Sequence, residues 1–282
     1  MRPFVSLARA AALAALLAGA APFLAPAPAF AQGAACGNDA EGFEQWLAGF
    51  KQEAAAQGIS RSVISRSLDN IIYDHNTIKA DRAQGVFRQS FEQFSNRMVP
   101  PRVAKGAALV RKYQPLLDRI EKQYGVPGPV LVAIWGLETD FGSFNGKYDT
   151  IQSLATLAYD CRRSDKFRAE LLDALRIVQR GDLTPGNMHG AWAGEIGQTQ
   201  FMPSSYLKFA VDYDGKGRAD LIRSVPDVLA STAKFLQSYG WQAGQGWEPG
   251  QPNFPVIQQW NASAVYSKTI AALATRIDEA SR

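Results

Sequence analysis

Pro129-Val-Leu-Val-Ala-Ile-Trp-Gly-Leu-Glu138-Thr-Asp-Phe-Gly142 is the stretch on which the fold turns. Proline suits the first turn of a helix, because the N–H it lacks is one the helix leaves unpaired anyway. From there apolar residues fall on nearly every face, and a helix apolar all round runs through a core, not across a surface. Glu138 breaks the pattern near the helix end. Burying an ionised carboxylate is costly, so such a glutamate either pairs with a base or keeps its proton near neutrality. In a cleft, a carboxyl that keeps its proton is a general acid. A glutamate that only bridges neighbouring backbone fits these residues equally well.

Outward from this segment the chain reads as mainly α, with helices set off by Gly and Pro, no internal repeat and little sign of strands. In Lys166 to Arg180 the residues Phe167, Leu171, Leu172, Leu175 and Val178 recur at helical spacing, predicting a surface helix. Arg168, Glu170, Asp173 and Arg176 are left for its solvent side. Ser224-Val225-Pro226-Asp227 offers a cap, a first-turn proline and an acid favoured by the helix dipole, predicting a helix to about Tyr239, where Gly240 stops it. Val265, Ile270, Leu273 and Ile277 mark a last helix starting near Ser263. Between Gly181 and Gly197 glycine is too dense for a long element, so a loop is expected there, of the kind that lines sites.

The chain has 282 residues, 46% hydrophobic and 20% charged, which suits one globular domain. Arg2 and Arg9, the uncharged run Ala10 to Leu24 and Ala29-Phe30-Ala31 have the order of a secretory leader. The expected division is therefore a signal peptide over 1–31 and a domain over 32–282, located in the periplasm. Pro22, Pro26 and Pro28 argue against a membrane-spanning helix, and no leucine stands three residues before Cys36 as a lipid-attachment site needs. The net charge of +4 includes Arg2 and Arg9, so the rest carries only +2, too little to point to nucleic acid. Cys36 and Cys161 are the only cysteines, and in an oxidising compartment an even count predicts one disulfide.

His75 and His189 are the only histidines and neither lies near Glu138 in sequence, which leaves little material for a Ser/His/Asp triad or a zinc HExxH site. A two-carboxylate glycosidase needs a second acid about 5 to 9.5 Å away. Asp140 projects roughly 200° round the helix from Glu138 and is a poor partner. Asp149 and Glu195 stand in segments read as loops, where an acid is ordinarily solvated.

Glu138-Thr-Asp-Phe-Gly142 resembles the E-[ST]-x-[FW]-G motif of lytic transglycosylases. Gly194-Glu-Ile-Gly197-Gln-Thr-Gln200-Phe-Met-Pro-Ser-Ser-Tyr206 resembles their G-x-x-Q-F-M-P-S-S-Y block. Asp81-Arg82-Ala-Gln84, Ile120 to Pro127, Phe235 to Trp241 and Asn261 to Tyr266 follow in the same order, so the resemblance, to the murein transglycosylase B type, spans about Gly42 to Leu273. It implies a mainly α, lysozyme-like catalytic fold with a smaller inserted subdomain. It also implies cleavage of the β-1,4 bond between N-acetylmuramic acid and N-acetylglucosamine in peptidoglycan glycan strands, with no cofactor. One glutamate, here Glu138, would protonate the leaving oxygen and then take a proton from the muramic acid's own C6 hydroxyl, closing a 1,6-anhydro ring. A second carboxylate is then unnecessary, because an intramolecular hydroxyl has a high effective concentration.

The same resemblance implies substrate-binding roles for Gln200, Asn261 and Tyr266. Arg163, with Arg162, is a candidate for meeting substrate carboxylates. Ala191, Phe235 and Ala262 depart from the family's serine, tyrosine and proline, which bears on substrate preference rather than on the reaction. Around 211–224, Asp212-Tyr-Asp214-Gly-Lys216-Gly217-Arg-Ala-Asp220 resembles the family's EF-hand-like loop. Lys216 and Arg223 stand at its fifth and twelfth places, where an EF-hand puts oxygen ligands, so no metal is expected and the two cations are expected to pair with the acids. A hydrolase using Glu195 or Asp149 to activate water, and a silent peptidoglycan-binding protein, are the competing readings.

Overall fold

A computed structural model describes residues 35–83 and 89–282, so the expected leader and Gln84 lie outside the described residues. In chain order the helices are α1 (Phe43–Ala56), α2 (Arg61–Leu68), α3 (His75–Arg82), α4 (Phe91–Met98), α5 (Pro100–Lys112), α6 (Gln114–Tyr124) and α7 (Gly128–Thr139). There follow α8 (Thr150–Tyr159), α9 (Ser164–Arg180), α10 (Pro203–Phe209), α11 (Val225–Ser238), α12 (Phe254–Trp260) and α13 (Ala264–Ser281). The strands among the described residues are two short ones, β1 (Tyr148–Asp149) and β2 (His189–Gly190), paired antiparallel with Tyr148 opposite Gly190.

The helix that opened the reading, α7, is the centre of one helix group. Every residue from Gly128 to Leu137 is buried, and α5, α6, α11 and α13 wrap it. Such a helix needs no amphipathic stripe, because it meets protein on all sides. In a second group α8 packs along α9, and α1, α2, α3 and α10 surround the pair. The described residues form one compact unit.

α7 stops abruptly. Asp140 and Phe141 both adopt left-handed backbone, with φ of 51° and 60°, a conformation that costs a residue with a Cβ on the order of 1–2 kcal/mol. The turn brings the Phe141 ring back over Gly136, where an added Cβ would meet it at 2.7 Å. Thr139 locks the arrangement, since its hydroxyl donates to the Gln198 carbonyl at 2.6 Å and accepts the Gly142 N–H at 2.9 Å. Arg102 on α5 covers the helix end, donating to the Gly136 carbonyl at 2.9 Å with Asp140 3.6 Å away. A cation there answers the partial negative charge of a helix C-terminus.

The predicted helix starts are found with their caps. Ser224 accepts the Asp227 N–H to open α11, and Ser263 accepts the Tyr266 N–H to open α13. Helix α9 carries the expected apolar stripe, but Glu170 does not face solvent. It is buried, and its carboxylate accepts from the Ser204 N–H at 2.9 Å and the Ser204 hydroxyl at 2.8 Å. Helical spacing put it opposite the stripe, yet α10 docks on that flank and uses the acid to satisfy its first turn.

Cys36 and Cys161 form the expected disulfide, 125 residues apart in sequence. Backbone bonds reinforce it, from the Gly37 N–H to the Tyr159 carbonyl and from the Cys161 N–H to the Gly37 carbonyl.

Candidate active site

Glu138 stands in the last turn of α7 and opens onto a groove of about 360 Å³. The rest of the wall comes from three places. The loop before α10 supplies Glu195, Gln200, Phe201 and Met202; α11 and its cap supply Phe235 and Tyr239; the end of α12 supplies Gln259, Trp260 and Asn261. A larger cavity, about 600 Å³, lies beside the disulfide and contains none of these residues.

The carboxyl of Glu138 is held by two donors. Trp260 Nε1 donates to its Oε1 at 2.9 Å, and the Tyr266 hydroxyl, one turn into α13, stands near enough to favour the ionised form. The indole is itself fixed, with its ring centroid 5.3 Å from Phe201 and 5.0 Å edge-on from Phe235. Burial pushes the Glu138 carboxyl up to about 7; the Trp260 and Tyr266 hydrogen bonds oppose the rise, and the Glu195 charge adds to it. Burial and the neighbouring Glu138 also raise the Tyr266 phenol well above its usual value, so it stays a donor. The group is thus poised to hold a proton near neutrality, and the ion left after giving it up has two donors at hand.

The sequence-predicted residues divide. Glu138, Gln200 and Asn261 line the groove, and Tyr266 reaches it through Glu138. The Gln200 amide, however, is fully occupied by loop backbone: it accepts the Ala191 N–H at 3.0 Å and donates to Asn145 at 3.2 Å and Gly197 at 2.6 Å. With φ of 53° it pins the loop that forms the groove wall. Asn261 accepts the Ser263 N–H at 3.0 Å and so shapes the link from α12 to α13.

Arg163 is not brought to this groove. It lines the other cavity, where it and Arg162 both bind the buried carboxylate of Asp81, and its guanidinium lies 4.9 Å over the Phe167 ring. Arg82 bridges Asp81 at 2.6 Å and Asp160 at 2.5 Å in the same cluster. A basic pair beside a buried acid satisfies that acid first, because an unpaired buried carboxylate costs more than any solvated pair returns.

Sequence reasoning missed one member and misjudged the setting of another. Trp260 adjoins Asn261, inside a block already singled out, but an indole carries no titratable signature. Glu195, expected either as an ordinarily solvated loop acid or as the water-activating acid of a hydrolase, is largely enclosed in the groove wall, with its pKa raised chiefly by burial. Asp149, the other acid weighed for that role, caps α8 by accepting the Gln152 N–H at 2.8 Å.

The carboxylates of Asp212 and Asp214 in the EF-hand-like loop and of Asp227 in α11 bring oxygens within 4.8 Å of one another. As arranged, they do not fit a divalent cation. The Lys216 ammonium sits 2.8 Å from Asp214. Asp227 accepts the N–H groups of Tyr213, Asp214 and Asp220, and Asp212 those of Lys216 and Gly217. Lys216 thus pairs as expected, whereas Arg223 gives Asp220 only its backbone N–H.

Residues 42–251 match the family described as Transglycosylase SLT domain. Membrane-bound lytic murein transglycosylase B of Escherichia coli (strain K12) is 32% identical over 210 residues, 72% of this chain and 57% of that protein. The chain therefore spans a little over half the length of that curated relative. Among solved structures, SltB3 from Pseudomonas aeruginosa, in complex with NAG-anhNAM-pentapeptide or NAG-NAM-pentapeptide, is similar at a TM-score of 0.80. Its identity is 32%, covering 85% of this chain and 80% of that one. Soluble lytic transglycosylase SltB1 of the same organism is 25% identical, with a TM-score of 0.77 and coverage of 83% and 98%. The mainly α, lysozyme-like fold expected from the motifs is the fold found. By fold, by ordered motifs and by direct match over most of its described length, the chain belongs to the transglycosylase SLT domain family.

Proposed function

We propose that residues 32–282 form the catalytic domain of a peptidoglycan lytic transglycosylase. It cleaves the β-1,4 bond between N-acetylmuramic acid and N-acetylglucosamine, with Glu138 as the single acid and base. The observation that carries this reading is the Glu138 carboxyl, held near pKa 7 at the edge of an aromatic groove with two hydrogen-bond donors on it. Protonated, it gives its proton to the leaving glycosidic oxygen. The resulting carboxylate is steadied by Trp260 and Tyr266 while it accepts the proton of the muramic acid's C6 hydroxyl, whose oxygen bonds to C1 and closes the anhydro ring. No water has to be activated, because the nucleophile is already tethered to the reacting carbon.

The groove supports a sugar substrate on its own terms. Trp260, Phe235 and Tyr239 present ring surface for the apolar faces of pyranoses, with polar groups at the edges. Glycan strands in the periplasm are the substrate proposed, reached through the leader over 1–31. Among the described residues no helix is long and apolar enough to cross a membrane.

A hydrolytic reading has one observation in its favour, a second carboxyl, Glu195, in the same groove. Mass spectrometry of sacculi digested with the protein separates the two. Anhydromuramic ends are expected, and reducing ends overturn the proposal in favour of hydrolysis. No release at all leaves a silent binding protein.

A further inference from the structure

Glu195 is a carboxyl for which the reaction proposed above has no use, and the fold goes to some length to hold it in place. Its backbone carbonyl accepts from the Thr150 hydroxyl at 3.2 Å. Gly190 lies so close beneath it that a Cβ there would stand 1.7 Å from the same oxygen, so only glycine admits the approach. Its Oε2 accepts the Ala193 N–H at 3.0 Å, and its own backbone N–H also favours the ionised form. The next residue, Ile196, exchanges two backbone bonds with Phe201, at 2.8 and 3.0 Å. The acid therefore rides on a short, cross-braced hairpin with little freedom to move.

What this carboxyl lacks is a cation. Among the described residues its hydrogen-bond partners are backbone N–H groups, and the Lys166 charge acts on it less than either of them. Glu170 shows what a structural acid looks like in this protein: both of its oxygens are used by one helix start. Glu195 instead lines the groove that holds Glu138, close enough for its charge to act on that acid. An enclosed carboxyl without a counter-ion is expensive to keep, and the expense is offset when a ligand supplies the missing donor.

The chemistry of that donor follows from the surroundings. The Glu195 carboxyl, when ionised, repels an anionic substituent such as a lactyl carboxylate from the space beside it. A neutral N–H or O–H is not repelled, and the rings of Trp260 and Phe235 offer it a platform for the sugar that carries it. We propose that Glu195 is a substrate-binding residue: its carboxyl accepts a hydrogen bond from a hydroxyl or acetamido N–H of an N-acetylglucosamine ring and so sets that ring against Glu138. The inference rests on the glycan-cleaving reading, but it is tested without turnover.

The probe is the N-acetylglucosamine tetramer, titrated by calorimetry into the Glu138→Gln protein and into the same protein carrying Glu195→Ala. The expected result is affinity lowered about tenfold or more, the loss of one hydrogen bond to a charged acceptor. On the otherwise native enzyme Glu195→Ala then raises KM more than it lowers kcat. Equal tetramer affinity with and without Glu195, or no binding by the Glu138→Gln parent, overturns the assignment. Should the alanine variant melt early, Glu195→Gln decides. It keeps an oxygen for the Ala193 N–H while losing the charge, and a drop of about threefold or more is expected, with unchanged affinity counting against the proposal. Failure of the glycan-cleaving reading shows separately, as an absence of anhydro ends from the native enzyme.

Discussion

Trp260 places its indole N–H 2.9 Å from a carboxylate oxygen of Glu138, joining residues 122 positions apart in the chain. The bond favours the ionised form, so it works against the burial that raises the pKa. Trp260→Phe keeps the ring contacts with Phe201 and Phe235 but removes the donor. The pKa of Glu138 is then expected to rise, moving the alkaline limb of the pH–rate profile to higher pH. kcat is expected to fall about tenfold because the carboxyl is no longer aimed. An unmoved limb shows that the indole does not tune the acid.

Glu138 also predicts how stability varies with pH. Its pKa rises from 4.5 to about 7 on folding, so the unfolded chain ionises first. The folded state suffers no penalty below about pH 4.5, and the penalty grows until the folded group titrates near 7. Glu138→Gln is expected to abolish muropeptide release. It is expected to leave stability unchanged at pH 4 and to raise it by on the order of 2–3 kcal/mol at pH 8, read by urea unfolding at both values. For the native enzyme, kcat/KM falls as pH rises through about 7, when the acid loses its proton.

Gln200 is expected to matter through the loop it ties down rather than through a direct sugar contact. Gln200→Leu leaves the Ala191 N–H and the Asn145 and Gly197 carbonyls without their partner. A loss of about 2–4 kcal/mol in stability is expected, together with a fall in kcat, while the pKa read from the pH profile stays in place. Full stability with lost activity would instead mean that the amide serves the substrate.

Cys36→Ser releases a cross-link spanning 125 residues. In the chain-entropy account a loop of that length contributes about 4–5 kcal/mol, and native cross-links typically return about 2–5. The variant, and the native protein under reductant, are expected to lose stability alike in denaturant titrations. The groove lies away from the bond, so activity per folded molecule is expected to stay close to native.

Much of this was legible in the residues, for reasons that differ by element. An unbroken apolar run can only be interior, so α7 and its terminal acid were plain. Ser224 and Ser263 announced their helices because capping is local chemistry, settled within four residues. Partners distant in sequence were another matter. Nothing near Glu170 foretells that Ser204 will dock on it, and nothing near Arg163 foretells Asp81. The Trp260 bond to Glu138 and the enclosure of Glu195 are likewise products of tertiary assembly. Periodicity ranks faces by polarity, and it is blind to which polar face another element will cover.

The disulfide has a consequence for how the molecule is made. Cys36 is synthesised 125 residues ahead of Cys161, so at ribosomal speed its thiol waits on the order of ten seconds for its mate. With two cysteines there is a single intramolecular pairing, and a simple oxidant suffices without any enzyme to reshuffle bonds. Any wrong pairing joins two molecules to each other. Its yield climbs with concentration while the right one forms at a fixed rate, so crowded expression, not slow oxidation, is what this architecture has to fear.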